Sequence, residues 1–301
     1  MFANVLIGVA EMESGRDAAE LAKLLAAPGG RRELVHILPE RQPIWRRAEE
    51  EEATAERQRA LQMLADLRAA VGIEADLRCL MAKTPGRGLH ELAEQTQADL
   101  LVVGSSRRGP IGRVLLGDDT SAALGGAPCA VAIAPAGFAK HPQLRLIGVG
   151  YDGSPESERA LAAARELARA HHAKVAALEA VIVALPMRGG SWYLAQELID
   201  AASARLAKLE DVEPHVQYGL PAEELARFSA SVDLLVIGSR GYGPLGRLVH
   251  GSTSRQLART ASSPLLVLTR PARLEEEQAG EAEAAASERS SAQRAAVHHI
   301  G

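Results

Sequence analysis

Apolar residues fall along the chain in two alternating rhythms. Short, nearly continuous runs such as NVLIGV, ELVHIL, ADLRCLM, DLLVVG and CAVAIA are bounded by Gly, Pro or polar clusters and predict five buried strands in the first half. LRLIGVG, KVAALEAVIV, EPHVQY, DLLVIG and PLLVLT predict five more in the second. Longer stretches between them repeat at helical spacing: Leu61, Leu64, Leu67 and Val71 share one face, as do Leu194, Leu198, Ala202, Leu206 and Leu209. Strands apolar on both faces, each followed by an amphipathic helix, are the pattern of a parallel sheet covered on both sides.

The pattern occurs twice. LIGVAEMESGRDAAELA from Leu6 pairs with LIGVGYDGSPESERALA from Leu146, an offset of 140, and ADLLVVGSSRRGPIGRVLLG from Ala98 pairs with VDLLVIGSRGYGPLGRLVHG from Val232, an offset of 134. So long a period means duplicated domains rather than a solenoid. The chain therefore reads as α/β, with two doubly wound five-stranded parallel-sheet domains over 1–140 and 141–272. Lys140, His141 and Pro142 form a short polar joint that keeps the halves close. Right-handed crossovers favour the order 3-2-1-4-5 in each sheet, and the last strands, Cys129 to Pro135 and Pro264 to Arg270, are expected to meet across a pseudo-twofold instead of standing as open edges. Residues 273–301 hold almost no large apolar side chains and predict a disordered or weakly helical tail.

Composition narrows the function. Of 301 residues 47% are hydrophobic and 24% charged, an ordinary globular balance, and a net charge of -4 without a basic stripe argues against nucleic acid. The first apolar run lacks a basic flank and reads as a strand, not a signal peptide; no 18-residue apolar run suggests a membrane span, so a cytoplasmic protein is expected. Cys79 and Cys129 each sit in a strand-like run, as small core residues do. Neither His171–His172 nor His298–His299 makes a metal site, and Trp45, Trp192 and Tyr193 read as packing or anchoring aromatics.

Glycines cluster after the strand DLLVIG: Gly238, Gly241, then Gly251 followed by Ser252, Thr253 and Ser254. Glycine lets backbone approach a phosphate closely, and a helix opening at Gly251–Ser254 offers free N–H groups and a positive dipole end to an anion. A tight turn before a well-capped helix would look the same. Arg240 and Arg247 would either touch phosphates or be solvated. The G-x2-G-x9-G-[S/T] string, after a strand and before a helix, resembles the nucleotide motif of the ATP-binding universal stress proteins, and the likeness extends over about residues 1 to 270. That resemblance implies an adenine-nucleotide α-hydrolase-like, Rossmann-like fold, and it too favours the 3-2-1-4-5 strand order. It implies ATP, with Mg2+, as ligand: Gly241, Gly251 and Ser252 at the triphosphate with Thr253 and Ser254 beside them, Ile237 and Gly238 along the ribose, Asp152 accepting from a ribose hydroxyl, and the backbone of Ala180 meeting adenine.

The first half departs from the motif. Gapless alignment sets Met12 against Asp152, Arg107 against Gly241, and Asp118 and Asp119 against Ser252 and Thr253. A carboxylate at the helix start would satisfy the free N–H groups itself and repel phosphate, so one ATP per chain is expected. Two G-x-G-x-x-G strings, from Gly148 and from Gly241, fit a dinucleotide site poorly, because Ser154–Pro155 reads as an N-cap and first helical residue that leave Gly153 outside the helix. No G-x4-G-K-[S/T], G-x-S-x-G or H-E-x-x-H string occurs. The reading is a nucleotide-dependent regulator of stress response or growth arrest, with an unidentified protein partner and a possible homodimer. The alternatives are an ATP-independent, chaperone-like interaction protein with a vestigial pocket and a slow ATPase; no evident general base or lysine clamp supports rapid turnover.

Overall fold

A computed structural model describes residues 1–40, 47–105, 124–182, 191–239 and 252–268, apart from the side chains of 47–51, 191–195 and 252. Trp45, the side chains of Trp192, Tyr193 and Leu194, and the segment 273–301 therefore lie outside the described residues.

The first half runs β1 (Phe2–Gly8), α1 (Met12–Leu25), β2 (Ala26–Pro39), α2 (Arg47–Val71), β3 (Asp76–Ala82), α3 (Pro85–Thr96), β4 (Leu100–Gly104) and β5 (Ala130–Ala134). The second runs β6 (Leu146–Gly150), α4 (Pro155–His171), β7 (Lys174–Val181), α5 (Ser191–Leu206), β8 (Val212–Tyr218), α6 (Pro221–Ser229), β9 (Leu234–Gly238), α7 (Ser252–Thr260) and β10 (Leu265–Leu268). All ten strands belong to one sheet in the order β3-β2-β1-β4-β5-β10-β9-β6-β7-β8. Each half has the expected 3-2-1-4-5 order, parallel within itself, and the two are mirrored about one antiparallel seam where Leu266 faces Ala132.

Two apolar layers cover the sheet. One holds Leu21 and Leu25 of α1, Leu64 and Leu67 of α2, Leu161 and Leu167 of α4 and Leu206 of α5. The other holds Leu89 and Leu92 of α3, Leu225 of α6 and Leu257 of α7. Each layer includes residues of both halves, so the halves share their cores as well as their sheet. Cys79 and Cys129 are buried free thiols, and burial pushes Cys129 up to about 12.

Helical spacing misplaces one residue. Leu198 is exposed; in the second half of α5 Ala202 and Leu206 are fully buried, whereas the described residues 196–201 are exposed or half-buried. A periodicity reads which face is apolar, but not how far along a helix its neighbour extends.

The joint between halves is held from inside the first. Buried Asp17 of α1 accepts from the main-chain N–H groups of Gly137 (2.9 Å) and Ala139 (2.8 Å), fixing the short helical turn Phe138–Lys140. Charged acceptors of this kind contribute about 1.5–3 kcal/mol each. Across the seam, His171 of α4 meets the carbonyl of Leu24 at 2.7 Å, and the amino terminus pairs with Glu166. No described helix is long and apolar enough to cross a membrane.

Candidate functional site

Parallel strands of a doubly wound sheet leave a crevice at their carboxyl ends where the strand order reverses. In the second half this point lies between β6 and β9, flanked by β7. A cavity of about 290 Å³ opens there. It is lined by Asp152 from the loop after β6, Leu178 and Ala180 of β7, Ile237 and Gly238 of β9, and Thr253 and Ser254 of α7. Six of the nine sequence-predicted site residues thus converge: Asp152, Ala180, Ile237, Gly238, Thr253 and Ser254. Gly241, Gly251 and the side chain of Ser252 lie outside the described residues, as do Arg240, Arg247, Arg107, Asp118 and Asp119.

Local chemistry explains each placement. Ser154 caps α4, its hydroxyl accepting from the Ser157 N–H, and Pro155 occupies the first helical position, where a missing N–H costs nothing. Asp152 accepts from the N–H (3.0 Å) and hydroxyl of Ser154, an Asx turn that sets its carboxylate at the cavity wall. Gly153 takes φ 75° in that turn, and a β-carbon there would stand 3.0 Å from Arg205 Cδ. Gly238 is required by packing as well: a β-carbon would lie 2.3 Å from the carbonyl oxygen of Glu156. The glycines of the apparent dinucleotide fingerprint are packing glycines too, since a β-carbon on Gly148 would meet the Phe228 ring at 2.7 Å and one on Gly150 would meet Ile237 and Leu225 at 3.1 Å.

In a parallel strand the N–H and C=O of one residue face the same neighbour, and successive residues alternate between neighbours. The Leu178 carbonyl accepts from Tyr151 on the β6 side, and the Val181 carbonyl accepts from Gly219 on the β8 side. Ala180 therefore turns both main-chain groups toward β6, past Gly150, where pairing with β6 has ended. That places a donor and an acceptor side by side at the cavity.

Several lining residues were not evident in the sequence. Ser239 is buried and lines the cavity, and its hydroxyl has no hydrogen-bond partner among the described residues. A hydroxyl so placed carries a desolvation cost of about 1–3 kcal/mol unless a ligand or water meets it. Tyr151 also lines the cavity; its hydroxyl bonds Glu158, and burial first, then that carboxylate, push it up to about 12. Glu179 is buried beneath and forms a two-point ion pair with Arg205 of α5, at 3.0 and 3.1 Å. The tyrosine directly after a strand was the one available signal.

The first half holds an equivalent cleft, and its hydrogen bonds correct the alignment of the repeat. Val9 N–H bonds the Val35 carbonyl as Tyr151 N–H bonds that of Leu178. A β-carbon on Gly104 would meet the Ser14 carbonyl oxygen as one on Gly238 would meet that of Glu156. Gly8 thus corresponds to Gly150, and the residue equivalent to Asp152 is Ala10, not Met12. The matching LIGV strings slipped by two residues, which preserves the alternation of faces and leaves the apolar pattern unchanged.

Comparison with known proteins agrees with this architecture. The model of the Universal stress protein family matches residues 1–135 and again 144–269. Universal stress protein Rv2005c of Mycobacterium tuberculosis is 33% identical over 213 residues, covering 66% of this chain and 71% of its own length. Universal stress protein Rv2623 of the same organism is 32% identical over 181 residues, covering 56% and 61%. Among solved structures, a universal stress protein from Archaeoglobus fulgidus superposes with a TM-score of 0.62 at 18% identity, over 89% of this chain and 98% of its own, a likeness of fold. With a duplicated doubly wound fold, a crevice at the switch point of each half and the family model matching both, the chain belongs to the universal stress protein family, two domains in tandem.

Proposed function

We propose that the second domain binds ATP, with Mg2+, and that the chain is a cytoplasmic nucleotide-dependent regulator holding one ATP. The observation that carries this reading is the buried Ser239 hydroxyl, without a partner among the described residues, in a cleft whose walls already present an acidic acceptor, a main-chain donor–acceptor pair and a helix start. The Ala180 main chain suits the edge of adenine, Asp152 a ribose hydroxyl, and the first N–H groups of α7 a phosphate. A volume of about 290 Å³ stands at the low end of ligand pockets, about 300–1,000 Å³, and suits a nucleoside with its phosphates directed outward. Mg2+ would neutralise phosphate charge. Ile182, Tyr218 and Leu220, all exposed, lie at the carboxyl end of β7 and β8 beside the cleft and suit a partner that reads its occupancy.

Calorimetry tests the proposal. Wild type should take up one ATP per chain, Asp152→Ala should weaken it about tenfold, and Gly241→Arg with Ser252→Asp about a hundredfold or more, as charge-assisted contacts of about 1–3 kcal/mol are lost. Two equivalent sites, or unchanged affinity in the double variant, would overturn it. Phosphate release should be slow, with no single cleft residue carrying it.

A further inference from the structure

We propose that the first domain keeps a ligand cavity of its own, suited to an uncharged planar heterocycle with adjacent hydrogen-bond donor and acceptor atoms, such as a free purine base, and not to a nucleotide. The space is present: a cavity of about 310 Å³ lies at the carboxyl ends of β1, β2 and β4, equal within a tenth to that of the second domain. Its walls are flatter in chemistry. Val9, Val35, Leu89 and Val103 stand where the second domain has Tyr151, Leu178, Leu225 and Ile237.

The base-reading edge survives. The Val35 carbonyl faces β1, accepting from Val9, while Glu40 N–H faces β3, bonding the Ala82 carbonyl. By the alternation of a parallel strand, the N–H and C=O of Ile37 face the β1 side, beyond Gly8, where β1–β2 pairing has ended. A donor and an acceptor therefore stand at the cavity as they do at Ala180. Ser105, directly after the lining residue Gly104, is buried with a hydroxyl lacking a partner among the described residues, as Ser239 is.

What has gone is the ribose acceptor and, in the sequence, the hydroxyl residues at the helix start. Ala10 replaces the acceptor Asp152, while each cleft has one further glutamate in its wall, Glu56 here and Glu156 in the second domain. In the sequence, Asp118 and Asp119 replace Ser252 and Thr253. A carboxylate at a helix start repels a phosphate, whereas an uncharged ring loses nothing by its presence. The two clefts thus share a slot and an edge but differ in what the rest of a ligand can be.

The test uses 2-aminopurine, a fluorescent free base, titrated against the full chain saturated with ATP. One saturable site per chain is expected, and ATP should not displace it. Ala10→Trp, at an exposed position that tolerates a large side chain, should weaken that site at least tenfold by filling its mouth. Ala10→Asp should improve adenosine binding about tenfold, by restoring a ribose acceptor. Absence of an ATP-resistant site, or indifference to Ala10→Trp, would overturn the proposal. Should ATP itself fail to bind, Ala10→Trp still removes one base site per chain, so the two readings fail separately.

Discussion

The two domains have the same scaffold and different clefts, and the difference lies in a handful of side chains. Gly104 and Gly238 occupy the same crossing, where the first turn of α1 or α4 rests on the end of the central strand. Ser105 and Ser239 follow them, each with a hydroxyl that has no partner among the described residues. Around these fixed points Asp152 becomes Ala10, Tyr151 becomes Val9, and Glu179, paired with Arg205, becomes His36, whose ring meets the Val9 carbonyl at 2.7 Å. What backbone packing dictates was kept in both copies, whereas the side chains lining the clefts diverged.

The largest effect should come from the shared crossing. An alanine β-carbon would lie 2.2 Å from the Ser14 carbonyl oxygen at position 104 and 2.3 Å from that of Glu156 at position 238, and backbone cannot step aside cheaply. Gly104→Ala and Gly238→Ala should each cost about 3 kcal/mol in urea unfolding. A loss confined to nucleotide binding at Gly238→Ala would show that glycine to be a ligand contact alone, and break the equivalence.

Next is the ion pair of Glu179, whose place in the first half is taken by His36. Arg205→Ala leaves the buried Glu179 carboxylate without its two-point partner, but the arginine is 45% exposed and solvent screens part of the loss. The expected cost is about 1–3 kcal/mol, recovered in large part by Arg205→Leu combined with Glu179→Leu. His36→Ala, removing one neutral hydrogen bond, should cost about 1 kcal/mol. Equal losses at the two positions would remove this contrast.

The smallest effect is a titration. Tyr151 is raised from the ordinary tyrosine value of 10.0 to about 12 in the folded protein, so the fold favours its neutral form. That contribution is fully present below pH 10 and is lost as pH rises toward 12. Absorbance near 295 nm should show one tyrosine ionising near the upper limit, and Tyr151→Phe should remove that late step along with the matching fall in stability. Val9 offers the first domain nothing comparable.

Much of this was legible in the sequence, for identifiable reasons. Continuous apolar runs marked the central strands because both faces of the sheet are buried there, whereas the outer strand Val212–Tyr218, expected to be buried, is exposed or half-buried throughout; avoidance of open edges foretold that Leu265–Leu268 would meet Ala130–Ala134. Ser154–Pro155 disclosed the start of α4 through capping chemistry alone. The Ala10 equivalence escaped because a slip of two residues is invisible to a pattern of period two. Ser239 and the Glu179–Arg205 pair escaped because they depend on which side chains meet across elements, 26 positions apart for the pair.

The antiparallel seam of β5 and β10 has a consequence for cooperativity. A chain whose halves share one sheet and both core layers cannot melt one half without opening the edge and stripping the core of the other. Unfolding should then be a single transition, and free energy gained by a ligand in either cleft is felt throughout the molecule. Each cleft becomes a lever on the melting of both, so a molecule seated in one domain protects its neighbour without touching it.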